Sequence, residues 1–368
     1  MAIDTDIIQE ILSAAHAEGR TSLYEHECYD VQEAIGAEAA PASRLIPLQQ
    51  RPTAADLGHL TGEKVVLKVV SPDIIHKTEA KGVRIVAREL GAVEAAFDLM
   101  VREVPEAYAA YLENHEGESP PALAGRRGGS LEQHLKDRIV GILLCSFMPP
   151  DSQGFATELF VGVRHTEEFG PIISAGLGGV EMELLARQTK KGAAVAIAPT
   201  GTVDGEKFFE LFRSTLSYDR LSGAMRGSRR LLDDPILIEC FQAFIDTANH
   251  FSGMNPDAAF HIEEMEVNPY SATGGRMAPL DGVCSFVPAE ARPTQRPIDK
   301  IGSLLKPKSA AIIGVSESSQ NMGRIILGNI LAAGFDRDAI HLVLPTATEI
   351  DGVPCVASVR ELPTKADL

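Results

Sequence analysis

Three kinds of feature are scarce in this sequence: paired cysteines, long apolar runs and basic residues. The five cysteines are scattered without a Cys-x-x-Cys pair, so we expect neither disulfides nor structural zinc. No apolar run approaches the roughly 18 residues that cross a membrane, and the N-terminus lacks a signal-peptide pattern. Acidic residues outnumber basic ones by 51 to 34, and the resulting net charge of −17 argues against a nucleic-acid partner. We therefore expect a cytoplasmic protein that binds neither membranes nor nucleic acid.

The length of 368 residues predicts two or three domains, and a hydrophobic content of 45% is sufficient for their cores. Apolar strand patterns alternate with helical patterns along the chain, which predicts an α/β protein. We place a first domain at 1–290, with a mobile loop at about 113–130 where Gly, Pro and charged residues accumulate. A linker at 291–307 then leads to a second domain at 308–368.

A lysine, Lys68, lies inside one of the most apolar runs of the chain, Lys64–Pro72. Such Val-rich runs are typical of buried strands, and a buried ammonium group is costly unless an anion compensates it. A polyphosphate is one such anion, and the loop behind the strand carries a second cation, Lys77, and a glycine, Gly82. The alternative is that Lys68 reaches water from the edge of a strand.

A second candidate site is a hairpin with polar residues on one face. Because strand side chains alternate, the residues that share this face are Glu264, Glu266 and Asn268. Gly274-Gly275 is a candidate two-residue turn, and a hairpin symmetric about it places Asn268 opposite Asp281 and Glu266 opposite Val283. Oxygen ligands gathered in this way suit a hard cation such as Mg²⁺. The alternative is a solvent-facing polar surface, and a bulge would shift the pairing.

A third candidate site lies near the C-terminus, where a short apolar strand at Lys308–Ile313 is followed by a turn and a helix from Arg324. The turn carries Gly314, Ser316 and Gly323. This order predicts the opening βαβ unit of a Rossmann-like sheet, whose first turn and helix N-terminus bind phosphate through backbone N–H groups. The spacing is not Gly-x-Gly-x-x-Gly, so a nicotinamide dinucleotide is not indicated. We expect only two strands before the chain ends, and hence a truncated domain.

Taken together, these segments resemble the nucleoside-diphosphate-forming acyl-CoA synthetases, the superfamily of ADP-forming acetyl-CoA synthetase and succinyl-CoA synthetase. The motifs that carry the resemblance are Leu67–Lys77, Glu158–Arg164, Phe169–Pro171, Gly176–Gly179, Glu264-x-Glu266-x-Asn268-Pro269, and Pro307–Ser309 with Ile313–Ser316. The resemblance implies an ATP-grasp fold, made of two α+β subdomains, followed by a partial Rossmann-like CoA-binding domain.

The resemblance also implies roles for individual residues. The implied contacts of ATP or ADP are Lys68, Lys77, Gly82 and Glu158. Asn268 and Asp281 would ligate Mg²⁺. His76 matches a histidine that is phosphorylated and relays phosphate to the nucleotide, and Glu266 would orient this phosphohistidine. The implied contacts of the coenzyme A phosphates are Gly314, Ser316 and Gly323.

The activity implied by the resemblance is the conversion of a carboxylic acid, coenzyme A and ATP into acyl-CoA, ADP and phosphate. The CoA-ligase domains are missing from this sequence, so we expect them further along the same polypeptide or on a second subunit, in an oligomer. We also expect the present chain to be inactive alone. Three alternatives stay open: a nucleotide- or CoA-sensing regulatory protein, part of a protein acetyltransferase fusion, and a non-catalytic subunit.

Overall fold

The computed structural model describes residues 3–36, 40–115, 130–152, 157–179, 194–224, 229–289 and 298–368. The chain divides into two compact units, Met1–Arg292 and Pro293–Leu368. The mobile loop predicted at about 113–130 lies outside the described residues, except at its two ends. None of the described helices is long and apolar enough to cross a membrane.

The first unit contains the following elements. Its helices are α1 (Thr5–Ala17), α2 (Glu25–Ala34), α3 (Ala54–Gly58), α4 (Leu90–Asn114), α5 (Leu131–Asp137), α6 (Gly205–Phe212), α7 (Leu216–Leu221) and α8 (Asp234–His250). Its strands are β1 (Ser43–Pro47), β2 (Lys64–Val70), β3 (Val83–Ala87), β4 (Gly141–Ser146), β5 (Glu158–Thr166), β6 (Gly170–Leu177), β7 (Val195–Pro199), β8 (Phe260–Thr273), β9 (Arg276–Pro279) and β10 (Gly282–Pro288).

The smaller sheet of this unit has four antiparallel strands in the order β1-β4-β2-β3. Alternate residues of β2, namely Val65, Leu67 and Val69, are fully buried in a core that they share with α4 and α5. The other residues of β2, among them Val66, Lys68 and Val70, face the other way, where Val70 packs against Tyr29 of α2. Period-two alternation therefore directs Lys68 toward α2.

The larger sheet has six strands in the order β10-β8-β5-β6-β7, with β9 paired to β8. Its core is rich in phenylalanine from α6 and α8, including Phe208, Phe212, Phe241 and Phe244. The two sheets, each with its own helices, form two α+β subdomains, as the resemblance implies. The first helix begins after Asp4, because the side chain of Asp4 accepts a hydrogen bond from the N–H of Ile7.

The predicted hairpin register is confirmed. Gly274 and Gly275 have φ values of +59° and +71°, as a tight two-residue turn requires. Val283 faces Glu266, and the N–H of Asn268 donates to the carbonyl oxygen of Asp281 at 3.2 Å. A bulge does occur, but it lies beyond these pairs, between Ser285 and Phe286.

The second unit contains α9 (Ile301–Leu305), β11 (Ala310–Ile313), α10 (Met322–Ala332), β12 (Ile340–Val343), β13 (Glu349–Ile350) and β14 (Val353–Val356). Strands β11, β12 and β14 are parallel, and β13 pairs antiparallel with β14. The expectation of only two strands was therefore wrong. The third parallel strand is only four residues long and contains a proline, Pro354, and proline is disfavoured in strands, so its sequence does not predict a strand. Helix α9 lies within the segment predicted as a linker.

Candidate functional site

Lys68 lies on the face of β2 that points away from the core of the small sheet. Its Nζ is 2.6 Å from Oε1 of Glu25, and it also donates to the carbonyl oxygen of Leu280. Only 12% of the side chain is exposed. The anion that compensates this lysine in the structure is thus a carboxylate of α2. The alternative, in which the ammonium group reaches water from a strand edge, is wrong.

Glu25 is a buried carboxylate in the first turn of α2, with 3% of its side chain exposed. Its Oε1 accepts hydrogen bonds from Lys68 and, at 2.6 Å, from the hydroxyl of Tyr29, while Oε2 is paired with Lys77. Burial by itself would raise the pKa of this carboxyl group, but the charges of the two lysines outweigh it and lower the pKa to about 2. Glu25 is therefore negatively charged at neutral pH.

Lys77 connects Glu25 to the hairpin, because its Nζ also lies 2.9 Å from Oδ1 of Asp281. Burial by itself would lower the pKa of this ammonium group, but the two carboxylates outweigh it and raise the pKa above its ordinary value. Burial and then the charge of Glu25 raise the pKa of Asp281. We call these four residues, Lys68, Lys77, Glu25 and Asp281, the lysine–carboxylate cluster.

Asn268 and Glu266 lie next to this cluster on one face of β8. The amide Nδ2 of Asn268 donates to Oε1 of Glu266 at 3.2 Å, and its Oδ1 accepts from the N–H of Gly179 at 3.0 Å. Glu266 faces Gly162 of β5, which has no side chain to displace it. Burial, together with the charge of Glu264, raises the pKa of Glu266 despite the hydrogen bond from Asn268.

These residues fit a hard divalent cation. Asp281 and Asn268 are opposed across the hairpin, Glu266 is bonded to Asn268, and all three carry oxygen ligands of the kind that Mg²⁺ prefers. Asp281 already pairs with a cation, the ammonium group of Lys77. Within the described ranges, no group of three or more His, Cys, Asp or Glu residues is placed to hold a metal. A metal here would therefore need the amide oxygen of Asn268.

His76 precedes Lys77 in the loop between β2 and β3. Its ring centroid lies 5.6 Å from that of Tyr111 on α4, so the imidazole packs on a helix while Lys77 reaches the cluster. The loop closes where the N–H of Gly82 donates to the carbonyl oxygen of Lys77 at 2.6 Å. A Cβ on Gly82 would lie 2.5 Å from Cγ1 of Val69 and 3.0 Å from the same oxygen, so this glycine is required by the close packing of the loop against β2.

Glu158 begins β5 and pairs with Ser271 of β8. Its carboxylate lies against Gly179, where a Cβ would collide with it. Gly179 has a φ of +73° and donates to Asn268, so Glu158 stands at the Asn268 end of the site. The structure therefore gathers Lys68, Lys77, Glu158, Glu266, Asn268 and Asp281 between the two sheets.

Asp73 anchors the loop that carries His76 and Lys77. It is 1% exposed, and its Oδ2 accepts from Nε of Arg138 at 3.0 Å and lies 3.2 Å from Nε2 of His134. Both partners belong to α5 or to its C-terminal cap. The loop is thus fixed from behind by a buried carboxylate.

Of the three predicted residues of the second unit, Gly314 and Ser316 lie in the turn between β11 and α10, and Gly323 lies in the first turn of α10. Gly314 has a φ of +83°, and a Cβ on Gly323 would lie 2.8 Å from the carbonyl oxygen of Gly314. Both glycines are therefore required by the backbone of the turn. The hydroxyl of Ser316 is 2.9 Å from that of Ser319, and Asn321 caps the helix by accepting from the N–H of Arg324. One of the N–H groups at this helix terminus is thus already bonded to a side chain and is not free to bind a phosphate.

The sequence did not identify Glu25, Tyr29 or Asp73 as site residues. An acidic residue in the first turn of a helix is common, because it interacts well with the helix dipole, so Glu25 carried no specific signal. The available signal was Lys68 itself: its apolar run contains no acidic residue, so a buried ammonium group there requires an anion from elsewhere. Asp73 lies within the motif Leu67–Lys77, but nothing in its local sequence indicates burial.

Comparison with known proteins gives a consistent set of similarities. A family model described as an ATP-grasp domain matches residues 14–114 and 130–285. Acetate–CoA ligase (ADP-forming) I of Archaeoglobus fulgidus is 28% identical over 251 residues, which are 68% of this chain and 29% of that protein. The beta subunit of acetate–CoA ligase (ADP-forming) I of Pyrococcus furiosus is 26% identical over 264 residues, which are 72% of this chain and 91% of that subunit. The chain thus spans less than a third of the first relative and most of the second.

Among solved structures, the chain is similar to the dinucleotide-forming acetyl-coenzyme A synthetase 1 of Ca. Korarchaeum cryptofilum, in complex with coenzyme A, Ca-AMPCP and HgCl⁺. The TM-score is 0.53 at 24% sequence identity, and the match covers 76% of this chain and 99% of that one. At this level of identity the likeness shows the fold. It agrees with the pair of α+β subdomains described above.

Proposed function

Because this chain belongs to the ATP-grasp family, we propose that it forms the nucleotide-binding part of an ADP-forming acyl-CoA synthetase. The complete enzyme would convert a carboxylic acid, coenzyme A and ATP into acyl-CoA, ADP and phosphate. The observation that carries the proposal is the convergence of Lys68 and Lys77 beside the oxygen-bearing hairpin of Asn268 and Asp281. The relatives named above are acetate–CoA ligases, which does not favour a sensing protein or an acetyltransferase fusion.

Lys68 and Lys77 would bind the phosphates of the nucleotide. Phosphoryl transfer depends mainly on positioning and on the stabilisation of charge, and two ammonium groups held close together supply both. The loop that carries Lys77 is closed by a hydrogen bond from Gly82, and Glu158 stands at the other end of the site. These contacts are the ones that the resemblance implies for ATP or ADP.

Asn268 and Asp281 would hold the magnesium ion, with Glu266 next to them. When bound, Mg²⁺ supplies neutralisation of the charge on the phosphate oxygens. The part played by the chain itself is to present the donors in a fixed register, which the hairpin does through the pairing of Asn268 with Asp281. Glu266 is held by the amide of Asn268 and would orient a phosphorylated His76.

His76 would act as the phosphoryl acceptor. A ring nitrogen of the imidazole would form the bond to the γ-phosphorus of ATP while the bond to the bridging oxygen breaks and ADP leaves. The phosphoryl group would then pass to the CoA-ligase domains. Imidazole suits this role because it is nucleophilic near neutral pH and its phosphoramidate stays reactive. Gly314, Ser316 and Gly323 would form the turn that receives the phosphates of coenzyme A.

The partners of this chain would be a carboxylic acid, coenzyme A and the domains that complete the enzyme. Those domains would be supplied by the same polypeptide or by a second subunit, since one relative is a single long protein and the other is named a beta subunit. We expect an oligomer, acting in the cytoplasm, and no acyl-CoA formation by the present chain alone.

Calorimetric titration with ATP and Mg²⁺ tests the proposal. The wild-type chain should bind the nucleotide, and Lys68→Ala should weaken binding by about 100-fold, since hydrogen bonds to charged groups contribute about 1.5–3 kcal/mol. Lys64→Ala is the matched control, because Lys64 is an exposed lysine on the same face of β2. Equal binding by Lys68→Ala and wild type, or no binding by wild type, would contradict the proposal. The full reaction is tested by adding the CoA-ligase domains and measuring whether release of ADP requires a carboxylic acid substrate.

A further inference from the structure

Lys77 and Asp281 form an ion pair with each other, although the proposed function gives them ligands of opposite charge. Lys77 would bind a phosphate and Asp281 a metal ion, yet Nζ of Lys77 lies 2.9 Å from Oδ1 of Asp281. Each residue therefore occupies the place of the other's ligand: the ammonium group stands for the metal and the carboxylate stands for the phosphate. Each ligand would therefore compete with the partner that its residue already has.

The charges of the lysine–carboxylate cluster balance. Lys68 and Lys77 are positive, Glu25 and Asp281 are negative, and every member has an oppositely charged partner. A polyphosphate that bound Lys77 in the absence of a metal would lie beside the negatively charged carboxylate of Asp281. A divalent cation that bound Asp281 in the absence of a nucleotide would lie beside the positively charged ammonium group of Lys77. Both arrangements would place like charges next to each other, which is unfavourable.

Of the three ion pairs in the cluster, the one between Lys77 and Asp281 is the most exposed. Glu25 is 3% exposed and is held by both lysines and by the hydroxyl of Tyr29, so it stays in place. Lys68 is also bound to the carbonyl oxygen of Leu280. Asp281, in contrast, is 43% exposed and lies on the hairpin, where an ion from solvent can reach it. The Lys77–Asp281 pair is thus the ion pair of the cluster that a ligand from solvent can reach.

We propose that Lys77 and Asp281 determine the specificity of the site for nucleotide and metal taken together. The pair splits when Lys77 transfers to a phosphate oxygen and Asp281 transfers to the metal, so each ligand removes the penalty that the other would meet. The site consequently discriminates against metal-free nucleotide and against metal alone. This inference rests on the proposed function and adds a coupling between its two ligands.

Two variants test the coupling with direct binding measurements. Asp281→Asn removes one charge and keeps the shape, so it should bind ATP in the presence of EDTA about tenfold more tightly than wild type, while its preference for the Mg²⁺ complex falls. Lys77→Met keeps an unbranched side chain and frees Asp281, so it should bind Mn²⁺ without nucleotide about tenfold more tightly, as measured by electron paramagnetic resonance. Circular dichroism establishes that each variant is folded.

Asp257→Asn is the control for a general change of charge, because Asp257 lies in an exposed turn. It should leave both affinities unchanged. If wild type binds the Mg²⁺ complex but Asp281→Asn gains no affinity for metal-free ATP, the coupling is overturned and the proposed function stands. If wild type does not bind the Mg²⁺ complex at all, the proposed function falls and the coupling falls with it.

Discussion

Glu25 and Lys68 form an ion pair at 2.6 Å although 43 positions separate them in the sequence. The pair joins α2, which belongs with the large sheet, to β2 of the small sheet. Because Glu25 also binds Lys77, a single buried carboxylate fixes both lysines of the candidate site. The arrangement links the stability of the fold to the geometry of the site, and the first two predictions follow from this link.

The first prediction concerns the loss of the charge of Glu25. Removing one partner of a buried ion pair leaves the other charge uncompensated, so Glu25→Gln should lower the free energy of unfolding by about 3 kcal/mol. The measurement is urea-induced unfolding at neutral pH. Glu18→Gln is the control, because Glu18 is 64% exposed in its pair with Arg20 and should change stability by no more than about 0.5 kcal/mol. Equal effects of the two substitutions would show that the cluster does not depend on Glu25.

The second prediction is a dependence of stability on pH. The folded state lowers the pKa of Glu25 from 4.5 to about 2, so the folded carboxyl releases its proton more readily than the unfolded one. A lowered pKa contributes stability that is complete above the unfolded pKa and is lost as pH falls toward the folded one, here about 3 kcal/mol between about pH 5 and about pH 2. Unfolding curves across this range should show a loss of stability that is about 3 kcal/mol larger in wild type than in Glu25→Gln. Parallel curves for the two proteins would be the contrary result.

The hairpin could be predicted from sequence because its register depends on local features. Gly274-Gly275 fixes the turn, and the period of two in β8 then determines that Asn268 faces Asp281. Lys68 could be found for a similar reason, since a charged residue in an apolar run is visible without the structure. Pairing across the chain is different: Glu25 sits in an ordinary helix start, and only tertiary packing brings it to Lys68.

Several strands were not predicted, and their composition explains why. Strand β7 reads Val-Ala-Ile-Ala-Pro, with small residues in place of most branched ones, and β1 is five residues long and ends at Pro47. Strand β14 is shorter still and contains Pro354. Such segments form strands because neighbouring strands supply their hydrogen bonds, which is a non-local effect.

The third prediction concerns the space beside Glu266. A Cβ at Gly162 would lie 3.2 Å from both Cβ and Cγ of Glu266, so Gly162→Ala should push this carboxylate and disturb its bond to Asn268. We expect a stability loss of about 1 kcal/mol and a fall of about tenfold in phosphoryl transfer by the completed enzyme. Gly91→Ala is the control: Gly91 lies in α4 with open space around its Cβ position, so this change should stabilise slightly or have no effect. Normal transfer in Gly162→Ala would argue against a role for Glu266.

The fourth prediction concerns Asp73 behind the loop. Asp73→Asn removes the charge that pairs with Arg138 and His134, and the site is almost fully buried, so the free energy of unfolding should fall by about 2 kcal/mol. Hydrogen exchange should become faster in the loop that contains His76. Asp137→Asn provides the comparison, because Asp137 lies on the same helix as His134 and is exposed. Unchanged exchange in the loop would show that Asp73 does not anchor it.

The last prediction concerns the phosphoryl acceptor. If His76 carries the phosphoryl group, His76→Ala should abolish the transfer of ³²P from ATP to the chain and from the labelled enzyme to ADP. The label in wild type should be lost in acid and stable in base, as expected of a phosphoramidate and not of a phosphoserine.

His59→Ala is the matched control, since His59 is an exposed histidine of the same subdomain and should keep full labelling. Tyr111→Leu extends the test, because the ring of Tyr111 lies 5.6 Å from that of His76 and holds the imidazole against α4. Loss of this packing should slow labelling by about tenfold without weakening the binding of ATP, since it alters the position of the nucleophile rather than the lysine–carboxylate cluster. Full labelling of His76→Ala would assign the acceptor to another residue.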